Sequence, residues 1–316
     1  MTQALGKSKM DFGMLKRLRI LCISETGWHD TEMLLADIKD AGGKDVNQYA
    51  IPWPPMGGLH PQNAAGSSAL VEAEAMDGTL HRFLFDIGWG PEWMDRRLAE
   101  EGVDKLLERR EIEFLAISHE HFDHFWGIGS AVRHCPEIPL YVPQGFHSEG
   151  FELLRRVGHT GPVKTVGPDS PEVPFPGLAL ANFPMKTLGR VNGENVLYAR
   201  LAGKGLAMMT GCGHAGVLEL LDYARNALEG GEDLYAVYGG LHISPFGEWD
   251  EKHEAVVRAL GNYGIKRFGC NHCTGEKAVR RMIELGLPMA HGSAQHGSKT
   301  DLYLGNGDVF ELGGHQ

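Results

Sequence analysis

Residues 112–127 read IEFLAISHEHFDHFWG, and the fold turns on how that stretch divides. The apolar run ending at Ile117 has the length of a short buried strand. Directly after it, His119, His121, Asp123 and His124 place four ligand-type side chains within six residues. In an extended turn, imidazoles at alternate positions converge on one cation, and the Asp and His that follow reach a neighbouring point where a second cation fits. The competing reading is a surface turn that is merely His-rich. A buried strand feeding straight into it argues against solvated imidazoles.

Working outward, residues 17–24 (RLRILCIS) alternate as a first strand, and a helix follows from Thr31 to Ala41. Residues 42–68 are rich in Pro and Gly and too long for a simple connector, so they form an insertion that is either disordered or a lid. Tyr49, Trp53 and Met56 favour the lid, because a solvated linker has little use for such side chains. Two alternating segments then flank Asp77-Gly78, a hairpin signal. Beyond the hairpin, helices and strands alternate: a helix over 91–108, a strand into the histidine run, a helix over 127–133, a strand over 139–143 and a helix over 150–157.

The second half repeats the plan. LALANF, NVLYARL and GLAMMT read as antiparallel strands, followed by a helix over 215–228, strand LYAVYG, a helix over 250–263, strand IKRFGC, a helix over 275–285 and a closing hairpin at Asn306-Gly307. Two such halves packed sheet to sheet, with helices outside, make a four-layer αββα sandwich of the α/β class. Nothing in the composition marks a linker, so residues 1–316 read as one domain with the insertion at about 42–68.

Composition excludes several functions. The formal charge of −11 disfavours nucleic acid, which needs clustered Lys and Arg to displace phosphate counterions. No apolar stretch approaches the roughly 18 residues of a membrane span, and the apolar run after the basic residues of 1–19 is too short for an export signal. Five unevenly spaced cysteines suggest no disulfide framework, so a reducing cytoplasm is the expected location. The expected partner is a small molecule, and homo-oligomerisation is left open.

Further histidines follow apolar strands later in the chain: His214 in TGCGH, His242 in YGGLH and His272 in CNHCTG. Taken with the first run, the motif His-x-His-x-Asp-His resembles the signature of the metallo-β-lactamase superfamily, and Asp86-Ile87-Gly88 resembles the Asp-x-Gly element that precedes it. GCGHAG, GGLH and NHCTG resemble the branch that includes the dihydropterin synthase of methanopterin biosynthesis, with the likeness spanning roughly residues 68–300.

The resemblance implies the αββα sandwich of that superfamily and one or two divalent cations, zinc foremost, with iron or manganese as alternatives. His119, His121 and His214 are the candidates for a first metal position, and Asp123, His124 and His272 for a second. Where a bridging Asp is expected the chain has Cys212, which is either a bridging thiolate or a small thiol beneath the site. His242 is a ligand or, with Asp123, a proton-transfer group. Cys270 and Cys273 read as incidental thiols flanking His272. The implied reaction is hydrolysis by metal-activated water; the alternatives are a non-hydrolytic pterin-type synthase step and iron-dependent oxidoreduction. Trp53, Phe125 and Trp126 suit either a flat ligand at the mouth or core packing, and Lys186, Arg190 and Lys299 are scattered candidates for an anionic group.

Overall fold

In the computed structural model, which describes residues 8–50 and 63–314, the alternation of β1 (Leu15–Ser24) is used on both faces. Leu18 and Ile20 enter one apolar cluster and Leu21 and Ile23 another, as the period-two geometry of a strand requires. A strand buried on both faces must be covered twice. The remaining elements supply the cover.

The first sheet orders β13 (Val309–Gly313), β1, β2 (Ser68–Ala75), β3 (Leu80–Phe85), β4 (Phe114–Ala116), β5 (Leu140–Pro143) and β6 (Val163–Val166). Its early pairs are antiparallel, with the β2–β3 turn closing at Gly78, and the pairs from β3 to β6 are parallel. The second sheet orders β7 (Glu172–Phe175), β8 (Leu178–Lys186), β9 (Asn192–Leu201), β10 (Gly205–Thr210), β11 (Leu234–Gly239) and β12 (Arg267–Cys270), again antiparallel first and parallel last. The single register pair Leu15–Leu201, at the start of β1 and the end of β9, joins the two sheets.

Three apolar clusters define four layers. Phe83, Phe114, Leu197, Met209 and their neighbours lie between the sheets. Outside the first sheet pack α1 (Thr31–Asp40), α2 (Pro91–Glu100), α3 (Val103–Glu108), α5 (Ile128–Val132) and α6 (Ser148–Arg156); α4 (Phe122–Phe125) is a single turn within the histidine run. Outside the second sheet pack α7 (Val217–Ala227), α8 (Glu251–Leu260) and α9 (Glu276–Glu284). This is the expected αββα sandwich. Each half ends its parallel strands at one rim, the place where open α/β sheets form ligand sites.

Several sequence expectations are corrected. The helix expected over 91–108 is two helices, because Gly102 adopts a left-handed φ of 69° between α2 and α3. The closing hairpin at Asn306-Gly307 is a turn into β13, which pairs with β1 and not with an adjacent strand. Strands β6 and β7 were not expected at all. Phe125 and Trp126 are buried in the outer cluster of the first sheet, so the ligand reading of that pair gives way to core packing. Trp53 and Met56 lie outside the described residues.

One buried cation ties the first helical layer to its sheet. Arg97 of α2 is fully buried, donates to the carbonyl of Ile23 at 2.9 Å, and is clasped by Glu100 and Glu101. Removing it leaves a carbonyl without its donor and a cavity under α2. Arg97→Ala is expected to cost about 3 kcal/mol in chemical denaturation; a loss below about 0.5 kcal/mol, the range of ordinary surface substitutions, would show that the contact contributes nothing.

Candidate metal centre

Strand β4 delivers the histidine run to the rim between the sheets. His119, His121, Asp123 and His124 are all buried, although polar residues of these types are seldom hidden from water. The second half meets them there: His214 follows β10, His242 follows β11 and His272 follows β12.

The donor atoms gather into overlapping groups, each within 4.8 Å across. One comprises His119, His121 and His214, and another Asp123, His124 and His272. Cys212 joins three further groups, with His119 and His124, with His214 and His242, and with His272 and Cys273. The structure therefore brings together every site residue proposed from sequence, with Cys212 at the centre. Cys270 and Cys273, taken together as incidental, part company. Cys270 packs in the apolar cluster beneath α9, whereas Cys273 lines the cavity over the donors.

Four imidazoles, those of His119, His121, His124 and His272, are fixed from behind through one nitrogen while another donor group faces the second. His121 donates through Nε2 to the Leu188 carbonyl at 2.8 Å, and His272 donates through Nδ1 to the Glu25 carbonyl at 2.8 Å. His124 Nδ1 lies 2.7 Å from Asp86 Oδ2. The Ser118 hydroxyl donates to that same carboxylate oxygen at 2.7 Å, which leaves it to accept from His119 Nδ1 at 2.9 Å. The free nitrogens point at one another: His119 Nε2 and His121 Nδ1 are 2.9 Å apart, and His124 Nε2 and His272 Nε2 are 3.1 Å apart. His214 is tied least, with Nδ1 3.5 Å from Thr187 Oγ1 and a buried Nε2 that has no hydrogen-bond partner.

Burial pushes the pKa of His119, His124 and His214 well below the ordinary value and that of His121 down to about 4. The rings are neutral, and neutral rings keep a lone pair to offer. Lone pairs converging on each other are an unstable arrangement unless a cation lies between them, and the orphaned His214 Nε2 makes the same point. The donor set fits divalent metal ions, with outer hydrogen bonds of the kind that hold metal-ligating histidines in one tautomer.

Backbone strain concentrates here. Asp86, His242 and His272 all adopt left-handed φ values, 61°, 44° and 52°, which side-chain-bearing residues rarely take. Such outliers cluster where the surrounding structure holds a residue for a purpose. Close approach is equally deliberate: a Cβ on Gly27 would lie 2.4 Å from His272 Cε1 and 2.8 Å from Asp123 Oδ2.

Two supporting residues carried no signal in the sequence reading. Glu194 on β9 is fully buried and accepts from the N–H groups of Cys212, Gly213 and His214 at 2.9, 2.7 and 2.6 Å. It shapes the whole TGCGH loop. Asn195 beside it donates to the Ile117 carbonyl at 3.0 Å, linking β9 to the end of β4.

Glu120 points away from the donors. Burial pushes its carboxyl up to about 7, and it accepts from the Tyr49 hydroxyl at 2.6 Å and the His147 N–H at 2.8 Å. Gln48 bridges the same turn, donating to the Glu120 carbonyl at 2.6 Å and accepting from the Phe122 N–H at 3.1 Å. Tyr49 also stacks on Trp126 at 5.4 Å. The start of the insertion is thus pinned to the back of the histidine run, and the remainder, 51–62, lies outside the described residues.

A cavity of about 570 Å³ opens over the donors. His121, Asp123, Cys212, His214 and His272 form its floor, and His242, which is exposed, stands in its wall. Trp28, Leu34, Ile38, Leu188 and Phe246 give an apolar side, and among the described residues Lys44 and Lys186 give the cationic groups of the lining. Of the other candidates for an anionic group, Arg190 is engaged with the Asp45 carbonyl at 2.6 Å, and Lys299 lines an adjoining cavity of about 440 Å³ beyond the stacked Trp28–Phe246 pair.

Comparison with known proteins gives the same picture. Residues 64–193 match the model of the metallo-beta-lactamase superfamily. The 7,8-dihydropterin-6-methyl-4-(beta-D-ribofuranosyl)-aminobenzene-5'-phosphate synthase of Methanocaldococcus jannaschii is 27% identical over 256 residues, which cover 69% of this chain and 84% of that protein. Among solved structures, a metal-dependent hydrolase of the beta-lactamase superfamily superimposes with a TM-score of 0.59 at 19% identity, covering 94% of this chain and all of the other. Sequence match and fold point the same way: residues 64–193 are similar to the metallo-β-lactamase superfamily, and the chain shares the fold of the solved hydrolase.

Proposed function

We propose that the protein is a metal-dependent hydrolase acting on a small molecule held in the 570 Å³ cavity. One observation carries the proposal: two clusters of three donors, His119–His121–His214 and Asp123–His124–His272, lie side by side in the floor of a single cavity. The first cluster would hold one divalent cation and the second another, with Cys212 between them. What bound cations supply is Lewis acidity, polarising the oxygen of the bond to be cut and making water nucleophilic at neutral pH.

The chain's own groups divide the remaining work. Asp123 is 3.4 Å from His272 Nε2 and buried at the floor, where its carboxylate can take the proton of the attacking water. His242, exposed in the wall of the same cavity, would pass a proton to the leaving group. Trp28, Leu188 and Phe246 hold the apolar part of the substrate and keep bulk water from the reacting bond, while Lys44 and Lys186 suit an acidic substituent. The overall charge of −11 favours a small-molecule substrate over nucleic acid.

A second reading, a synthase step without hydrolysis, is favoured by the 27% identical relative, which is named a synthase. Elemental analysis of protein purified without added metal, together with turnover of a panel of carboxylic and phosphoric esters, separates the two. The hydrolase reading expects bound zinc, no visible absorption band and ester cleavage. Bound iron with visible absorption and no cleavage would favour the other reading.

Two substitutions test the site itself. His121→Ala is expected to abolish both metal loading at the first cluster and turnover; full metal content with full activity would overturn the assignment. Asp86→Ala leaves every proposed ligand in place but frees the His124 ring, and is expected to weaken metal binding about 10- to 100-fold, the usual cost of losing such a partner. Isothermal titration of the apo-protein with zinc measures it, and an unchanged affinity would remove Asp86 from the site's machinery.

A further inference from the structure

Of the five cysteines, the two that line the metal cavity come from different strands and meet there: Cys212 follows β10 and Cys273 follows β12. Their sulfur atoms and a ring nitrogen of His272 lie within 4.8 Å of one another. Cys212 Sγ is also 3.2 Å from His124 Nε2, and Cys273 Sγ lies 3.5 Å from the Cys212 carbonyl. We propose that Cys212 and Cys273 are a thiolate pair that joins His272 in the second metal position and makes that position selective for a thiophilic divalent cation. The proposal rests on the metal-centre reading above and deepens it.

The geometry suits this chemistry. Around a tetrahedral cation with metal–sulfur bonds of about 2.3 Å and metal–nitrogen bonds of about 2.0 Å, ligand atoms sit roughly 3–4 Å apart. The three donors lie within 4.8 Å of one another, close to that range. Space has been cleared for the pair: a Cβ on Gly240 would stand 2.5 Å from Cys273 Sγ and 3.3 Å from Cys212 Cα. The loops are also held. Glu194 fixes the Cys212 backbone, and Thr274, next to Cys273, accepts from the Leu241 N–H at 3.0 Å.

Replacing carboxylate oxygen with two sulfurs changes which ion binds. Soft thiolates select zinc, cadmium or cobalt over the hard cations magnesium, calcium and manganese, which prefer oxygen. Among the described residues, Asp123 is the one carboxylate grouped with His272 at the metal position. The selectivity therefore resides in the sulfur pair.

Cobalt titration of the full-length apo-protein tests the proposal. A thiolate-to-cobalt charge-transfer band in the near ultraviolet is expected as the metal binds, reduced in Cys273→Ser, lost in the Cys212→Ser/Cys273→Ser double variant, and unchanged in Cys135→Ser, whose thiol is remote. The ratio of cadmium to manganese affinity is expected to fall at least tenfold in the double variant. Cobalt binding without the band, or the full band in the double variant, would overturn the thiolate pair while leaving the metal centre standing; no cobalt binding at all would overturn both. If the variants fail to fold, X-ray absorption on the zinc-loaded unaltered protein decides: a sulfur shell at about 2.3 Å supports the pair, and a shell of nitrogen and oxygen alone overturns it.

Discussion

The Asp86 carboxylate accepts from the Ser118 N–H, the Ser118 hydroxyl and the His124 imidazole, each at 2.7 Å, and does so from a fully buried position at the end of β3. Those three bonds hold the turn after β4 against its neighbour strand. Burial raises the cost of charging this carboxyl and pushes its pKa well up, with only the Ser118 bonds pulling it back. The arrangement is therefore electrostatically costly by itself. A cation held by His124 would offset that cost, because its charge would favour the carboxylate form of Asp86 behind the ring. Fold and chemistry meet at this strand end, which positive charge nearby would stabilise.

The second half answers with its own buried carboxylate. Glu194 collects three successive N–H groups of the TGCGH loop and so turns a glycine-rich segment into a rigid shelf for Cys212 and His214. A loop of this composition has many conformations to lose on folding, and the three charge-assisted bonds offset that loss. Ligand placement is thus delegated to groups that touch no ligand position themselves.

How much of this was readable in advance follows from the range of each interaction. His119 to His124 are neighbours in sequence, and the strand before them fixes their rim position, so the cluster was legible from a dozen residues. His214, His242 and His272 were legible because each repeats the same apolar strand and turn. Glu194 was not, since it sits in an ordinary polar strand start and its partners are backbone groups 18 to 20 residues away. Strand β13 was misread for a similar reason: Asn306-Gly307 announces a turn, but the partner strand is β1, at the other end of the chain. Cys273 shows the limit of spacing rules. Its relation to Cys270 is local and leaves the two in different surroundings, while its relation to Cys212 is made by the parallel register of β10, β11 and β12.

The two sheets share one strand-register pair, Leu15–Leu201, the bond from Asn195 to the Ile117 carbonyl, and the apolar layer between them. Both imidazole-bearing triads straddle that division, His119 and His121 with His214, and Asp123 and His124 with His272. The centre is consequently a gauge of assembly. Should the sheets part, each would keep its own strand ladders while the triads would cease to exist, and a cation held by either triad would tie the two halves together.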